Sequence, residues 1–395
     1  MWREARCSDR LLAGAVAGLG LTLAISAVPT SSAIAQNASD IELPRQLSWT
    51  AYGTGSAGYS QAVAIGAALQ DAVGTNLRIL PGKNDISRTE PLRRGRVDFS
   101  AAGIACLMAQ EAVYEFAEES WGPLPIRVAI ANFQGGQGQS VATSVQSGVT
   151  EYSDMKGLRV PWVVGAPALN VNMEAYLAFG GLTWDDVEKV EFGGYGAAWK
   201  GFIEGQTDAG FGSTNSGPVY EAAASPQGIY WPEMDPDDTE AWDRMLAVAP
   251  WYTPTVATVG ANIDGGGEYR GATYAYPVLI TMAEQEDDLV YNMTKAMVEL
   301  HPEYSGKVPG IDGWNLEFQD FQWVMPYHDG AIRYYKEAGV WSDEAQAHND
   351  NLVARQETLM AAWEDLKAAN PDDWESAWSE ARREALEEGG FEVYF

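Results

Sequence analysis

The residues able to do chemistry are few. His301, His328 and His348 are the only histidines, and no two are spaced as an H-x-x-x-H pair, the arrangement that turns two imidazoles toward one zinc. Cys7 and Cys106 stand far apart with no C-x-x-C partner, and no G-x-S-x-G nucleophile elbow occurs. No metal and no cofactor are therefore expected. Glu233–Asp238 gathers carboxylates around Pro236. They lack the regular ligand spacing of a calcium loop and read as a solvated acidic turn. What remains is the run Gly53-Thr54-Gly55-Ser56-Ala57-Gly58. Its glycines let backbone N–H groups approach a ligand, and a helix starting there favours negative charge. Thr54 and Ser56 add hydroxyls. The run also fits the G-x-G-x-x-G dinucleotide pattern. That reading needs an acid about 20 residues on, closing the second strand, to hold a ribose. There Leu77–Leu80 runs into Pro81-Gly82-Lys83 instead.

The elements that would position this turn alternate in type. Periodicity predicts a strand over 46–51, a helix over 59–73, a strand over 77–80, a helix around 89–94 and a strand over 97–101. Strands over 126–133 and 141–145 flank a glycine-rich stretch. Residues 147–272 hold predicted strands over 158–164, 189–193 and 208–211, with helices over 168–180 and 196–204. Residues 273–282 read as one strand and 287–300 as a helix. Such alternation implies an α/β fold with a parallel or mixed sheet and helices on its faces. Residues 341–395 differ: they are rich in Ala, Glu, Asp, Trp and Arg at helical spacing, and Pro371 divides them into at least two helices.

A chain of 395 residues is long enough for two domains. Its start reads as a secretory signal over 1–35: Arg3, Arg6 and Arg10, then an apolar run over Leu11 to Val28, then Ala33-Ile34-Ala35 as a small-residue cleavage site. The alternative is a single membrane anchor. Cleavage would leave Cys106 as the one cysteine, expected as a small buried apolar residue. A periplasmic location follows from export. The net charge of −30 repels nucleic acid and anionic lipid, so any anionic ligand must be held by local groups.

Three ordered segments carry a family resemblance. Residues 154–160 read Asp-Met-Lys-Gly-Leu-Arg-Val, and the helix that follows ends in Phe179-Gly180-Gly181-Leu182-Thr183-Trp184. Gly205-Gln206-Thr207-Asp208-Ala209-Gly210-Phe211 comes next, and Gly330-Ala331-Ile332-Arg333-Tyr334-Tyr335-Lys336-Glu337-Ala338-Gly339 closes the series. Over about residues 47–340 the chain resembles the TAXI-type solute receptors that serve TRAP transporters. The resemblance implies a two-lobe, periplasmic binding protein-like α/β fold with strands crossing at hinges near 141–146 and 273–280. Its first lobe would be 36–145 plus 273–340 and its second 146–272, with 341–395 an added helical tail. That tail would pack on the first lobe of a monomer, or alternatively mediate a dimer.

The implied function is capture without catalysis. A small organic acid or amino-acid-like ligand binds between the lobes and is delivered to the TRAP membrane subunits. The alternatives are a sensory receptor engaging a signalling partner and a secreted hydrolase. The family's cleft-lining positions fall here on Tyr52, Thr54, Gly55, Ser56 and Tyr59, and then on Asn84 and Arg88, where the family shows Gly-Gly-Ser-x-x-Asn. Aimed into a cleft, Arg88 would fork a carboxylate or sulfonate; otherwise it is an exposed helix arginine. In the second lobe Ala166-Pro167-Ala168-Leu169 replaces the family's Gly-Ser-Gly-Thr. Asn170 and Asn172 follow it, and Trp162 upstream offers either a stacking face or core packing. Thr214 and Asn215 are candidate donors, or ordinary loop residues. His328 reads as a satisfied structural histidine.

Overall fold

The computed structural model describes residues 40–395; the expected leader over 1–35, with Cys7, lies outside the described residues. One five-stranded sheet and three two-stranded sheets organise the described residues into two bodies. The first has five strands in the order β2-β1-β3-β11-β4: β1 (Gln46–Tyr52), β2 (Asn76–Gly82), β3 (Phe99–Ala102), β4 (Ile126–Ala131) and β11 (Val278–Met282). β1 runs parallel to β2 and β3, whereas β11 lies antiparallel between β3 and β4. Trp49, Phe99, Val128, Ile130, Val278 and Leu279 are fully buried, as expected of strands covered by helices on both faces.

The helix Ala57–Val73 connects β1 to β2. Its N-terminus is capped by Ser56, whose Oγ accepts from the Tyr59 N–H, and it ends at Gly74 with φ 71°. The Asp85–Arg93 helix follows β2 behind a reciprocal Asn84–Ser87 capping box. Helices Asp287–Glu299 and Asp329–Glu337 pack together beside β4. His328 caps the second of them, its Nδ1 accepting from the Gly330 N–H.

The second body is built from short ladders. β5 (Gln139–Thr143) pairs antiparallel with β8 (Ala209–Ser213), β6 (Arg159–Val163) parallel with β7 (Glu188–Phe192), and β9 (Thr253–Ala257) antiparallel with β10 (Tyr269–Thr273). The Asp208 N–H donates to the Arg159 carbonyl at 2.8 Å, and the Asp208 carboxylate grips Arg159 at 2.6 Å, joining β8 to β6. Helices Pro167–Phe179 and Tyr195–Ile203 cover this body.

The chain passes between the two bodies through 132–138 and through 274–277. The first link precedes the crossing expected near 141–146, because residues 139–143 already pair with 209–213. The predicted single strand over 273–282 is two strands, one in each body. They are separated by Tyr274–Pro277, where proline supplies no N–H to a ladder.

The C-terminal segment forms two helices, Asp343–Ala369 and Trp374–Gly389, separated at Asn370 (φ 47°) and Pro371. They dock on the first body through buried polar bonds. Glu111 is fully buried and accepts from Arg355 Nε at 2.9 Å and from Arg382 Nη1 at 2.9 Å. Trp378 Nε1 donates to the Ala112 carbonyl at 2.7 Å, and Trp363 packs edge-on against both Trp374 and Trp378. At the end of the chain the Phe395 ring meets Tyr114 of the first body and Trp251 of the second. No helix among the described residues is long and apolar enough to cross a membrane.

Candidate functional site

Direct hydrogen bonds hold the two bodies face to face. The loop after β2 supplies most of them. The Lys83 carbonyl accepts from the Tyr195 N–H at 3.0 Å, and Asn84 Nδ2 donates to the Val164 carbonyl at 3.0 Å. The Ile86 N–H donates to the Gly165 carbonyl at 3.2 Å, and Asp85 Oδ2 accepts from the Ala168 N–H at 3.0 Å. Farther along the seam, the Gly217 N–H donates to the Gly55 carbonyl at 2.9 Å and Asn215 Nδ2 to the Pro309 carbonyl at 2.9 Å.

These contacts border a small cavity with about 30 Å³ of water-accessible space, within a void of about 410 Å³ that includes open solvent. Arg88 is the one charged residue in its wall. Its guanidinium lies 3.9 Å from the centre of the Tyr52 ring, donates to Asp85 Oδ1 at 2.9 Å and reaches the Ala101 carbonyl at 3.4 Å; its Nε has no partner among the described residues. Tyr52, Tyr195, Tyr274, Tyr276 and Phe211 make the wall aromatic. The hydroxyls are mutually anchored. Tyr195 donates to Ser216 Oγ at 2.9 Å, Tyr274 accepts from Asn172 Nδ2 at 2.9 Å, and Tyr52 donates to Asp85. Burial holds the phenols of Tyr52, Tyr195, Tyr274 and Tyr276 above their ordinary value, so they are neutral hydrogen-bonding groups. Burial also raises the Asp85 carboxyl, against the opposing pull of Arg88, Tyr52 and the Ala168 N–H.

The sequence candidates divide among several places. Tyr52, Arg88 and Asn172 meet in the cavity wall. Arg88 is buried, not solvent-exposed. Thr54 and Gly55 are exposed on the turn, and Ser56 is the helix cap. Tyr59 is half-buried on the same helix and outside the cavity wall. Asn84 and Asn215 bridge the two bodies. Asn170 is engaged at both ends by the Val163 backbone, and Thr214 by Gly138 and Val259. Trp162 packs edge-on against Trp184 with the Lys189 ammonium over its face.

Trp162 and Asn170 instead line a larger outer groove of about 1120 Å³. Its charged lining is five carboxylates, Glu115, Glu118, Glu119, Glu174 and Glu375. With no cation to hold an acid, it fits the expected ligand less well than the smaller cavity. Asp85, Tyr195, Ser216, Tyr274 and Tyr276 were not among the candidates. The Ser-x-x-Lys spacing at Ser153 and Lys156 forms no active pair: Ser153 Oγ donates to Glu151 and Lys156 pairs with Asp186 on the surface. Among the described residues no group of three or more His, Cys, Asp or Glu could hold a metal, and Cys106 is a free, buried thiol.

Comparison with solved structures gives partial overlaps. A Bordetella bronchiseptica RB50 protein is 15% identical, with 88% of this chain and 98% of that chain covered and a TM-score of 0.44. The substrate binding protein of an amino acid ABC transporter is 13% identical over 68% of this chain and 98% of that chain, at 0.40. The periplasmic aliphatic sulphonate binding protein of Escherichia coli is 13% identical over 82% and 88%, at 0.38. The two bodies, the two chain links and the cavity between them make this a two-lobe, periplasmic binding protein-like α/β fold. The NMT1-like family matches residues 51–339, and the chain belongs to that family.

Proposed function

We propose that this protein is an extracytoplasmic solute receptor that captures a small organic acid or amino-acid-like ligand between its lobes and hands it to the membrane subunits of a TRAP transporter. The observation that supports this reading most is the cavity between the lobes, where a buried arginine and tyrosines from both lobes converge. A receptor needs such a compartment to be made of both lobes, because only then does ligand binding favour closure. The links at 132–138 and 274–277 are the hinges of this motion. Residues 1–35 are a cleaved export signal, and the mature chain works as a periplasmic monomer with its C-terminal helices packed on the first lobe. The ligand leaves unchanged, since no nucleophile–base pair lines the cavity.

The test is a thermal-shift screen of the mature protein against carboxylates, amino acids and sulfonates, with the ligand recovered afterwards by mass spectrometry. A saturable rise in melting temperature with one class, and an intact ligand, supports capture. Consumption of the ligand, or no shift with any class, refutes it. Delivery is tested separately by reconstituting uptake with TRAP membrane subunits in vesicles carrying an ion gradient.

A further inference from the structure

Asp85 is completely buried behind the cavity wall. Its three polar partners are Tyr52 Oη, Arg88 Nη2 at 2.9 Å and the Ala168 N–H at 3.0 Å. The Arg88 guanidinium and the Ala168 N–H can only donate, and with the adjacent positive charge of Arg88 they favour the carboxylate form against the opposing effect of burial. Ala168 stands in the first turn of the 13-residue helix Pro167–Phe179, whose free N–H groups favour negative charge. Asp85 therefore occupies the position that an anion brought in by a ligand would otherwise take, between the arginine of one lobe and the helix start of the other.

Resting on the receptor reading above and narrowing it to its amino-acid-like member, we infer that Asp85 sets the net charge of the ligand: it neutralises Arg88, so the cavity accepts a compact net-neutral molecule with a hydrogen-bond acceptor for Arg88 and rejects the corresponding monoanion. The charge balance carries this. Arg88 is the only charged residue in the wall and Asp85 touches it directly. A zwitterion or an uncharged polar ligand leaves the enclosed charge at zero. A monoanion leaves one uncompensated negative charge in a site walled by tyrosine and phenylalanine, which burial penalises strongly. Arg88 Nε is buried and has no partner among the described residues, which leaves one donor of the guanidinium for a ligand's acceptor. Asp85 is thus a positioning and specificity residue that acts through Arg88 without lining the cavity itself.

Calorimetric titration of the mature protein with pairs matched in shape and differing by one charge tests this: phenylalanine against 3-phenylpropionate, alanine against propionate, each with its amide. The wild type is expected to bind the net-neutral members at least tenfold more tightly than the carboxylates. Asp85→Asn, which leaves Arg88 uncompensated, is expected to reverse that preference by at least tenfold and to gain binding of acetate and methanesulfonate. Equal or tighter binding of the carboxylates by the wild type overturns the inference, as does an unchanged ratio in Asp85→Asn. Should the wild type bind nothing in the panel, the receptor reading falls. The simple anions still decide the role of Asp85, since the variant must gain them and the wild type must not. If Asp85→Asn does not fold, the double variant Asp85→Asn/Arg88→Gln carries the test. Its wall is neutral again, so it must gain no anion; a gain there overturns the inference.

Discussion

The attachment of the C-terminal helices depends on one carboxylate, and Glu111→Gln should expose that dependence. Glu111 is fully buried at the end of the Ala105–Glu111 helix, and it receives both Arg355 and Arg382, each about 3% exposed, at 2.8–2.9 Å. Removing its charge strands two buried cations. Breaking a buried ion pair by removing one partner costs about 3–5 kcal/mol. Unfolding entropy of about 2.1 cal/mol/K per residue gives roughly 0.8 kcal/mol/K for a chain of this size. The melting temperature should then fall by about 4–6 °C if the molecule melts as one unit. Scanning calorimetry measures this. Tryptophan fluorescence adds a local readout, because Trp363, Trp374 and Trp378 cluster where these helices meet the first lobe. Glu111→Leu combined with Arg355→Met and Arg382→Met should recover most of the loss, since a well-packed apolar replacement of a buried ion cluster is often neutral. A fall below about 1 °C for the single variant, or no recovery in the triple, would refute the reasoning.

Three further outcomes follow from the same geometry. Arg88→Ala should weaken the bound ligand tenfold or more, because losing a buried charged contact costs about 2–5 kcal/mol; unchanged affinity in a titration removes Arg88 from the site. Gly82→Ala places a Cβ 3.0 Å from the backbone N and Cα of Arg88. It should lower both affinity and melting temperature, at a cost of about 1–3 kcal/mol, and a variant with wild-type affinity contradicts this. His328 is neutral in the fold, its pKa held below the ordinary value by burial although Asp287 opposes this. The folded state then binds fewer protons than the unfolded chain, so stability is lost as pH falls through the ordinary histidine value of about 6.5. His328→Asn keeps a cap acceptor and should flatten the melting-temperature slope between pH 7 and 5; an unaltered slope assigns it elsewhere.

Most strands were readable because their apolar runs are bounded by glycine and proline. The helix over 168–180 and the strand over 158–164 shift by one residue at each end in the structure. The β9–β10 hairpin was not read, since Thr253–Ala257 is mostly exposed and carries Pro254 within its strand. The short Ala105–Glu111 helix was also missed; it is buried all round and so has no amphipathic stripe to betray it. In the site, Arg88 was found but Asp85 was not. An aspartate three residues before an arginine at a helix start looks like an ordinary surface pair, and only the opposing lobe turns it into a buried one. Tyr195, Ser216, Tyr274 and Tyr276 come from separate segments, with no local spacing to join them. Asn170 and Thr214 were chosen for their donors, and those donors are consumed by the backbone of their own lobe.

In the proposed function a ligand enters between the lobes and closes them. Val63, on the first-lobe helix that follows the Gly55 turn, and Glu221, on the second-lobe helix that starts at Gly217, are exposed. Spin labels at Val63→Cys and Glu221→Cys, with Cys106 buried and unreactive, report their separation by pulsed electron resonance. With the compound that raises the melting temperature, the distance distribution should be shorter and narrower than without it, with no such change in an Arg88→Ala background at the same concentration. A distribution that stays the same while the compound demonstrably binds would contradict it.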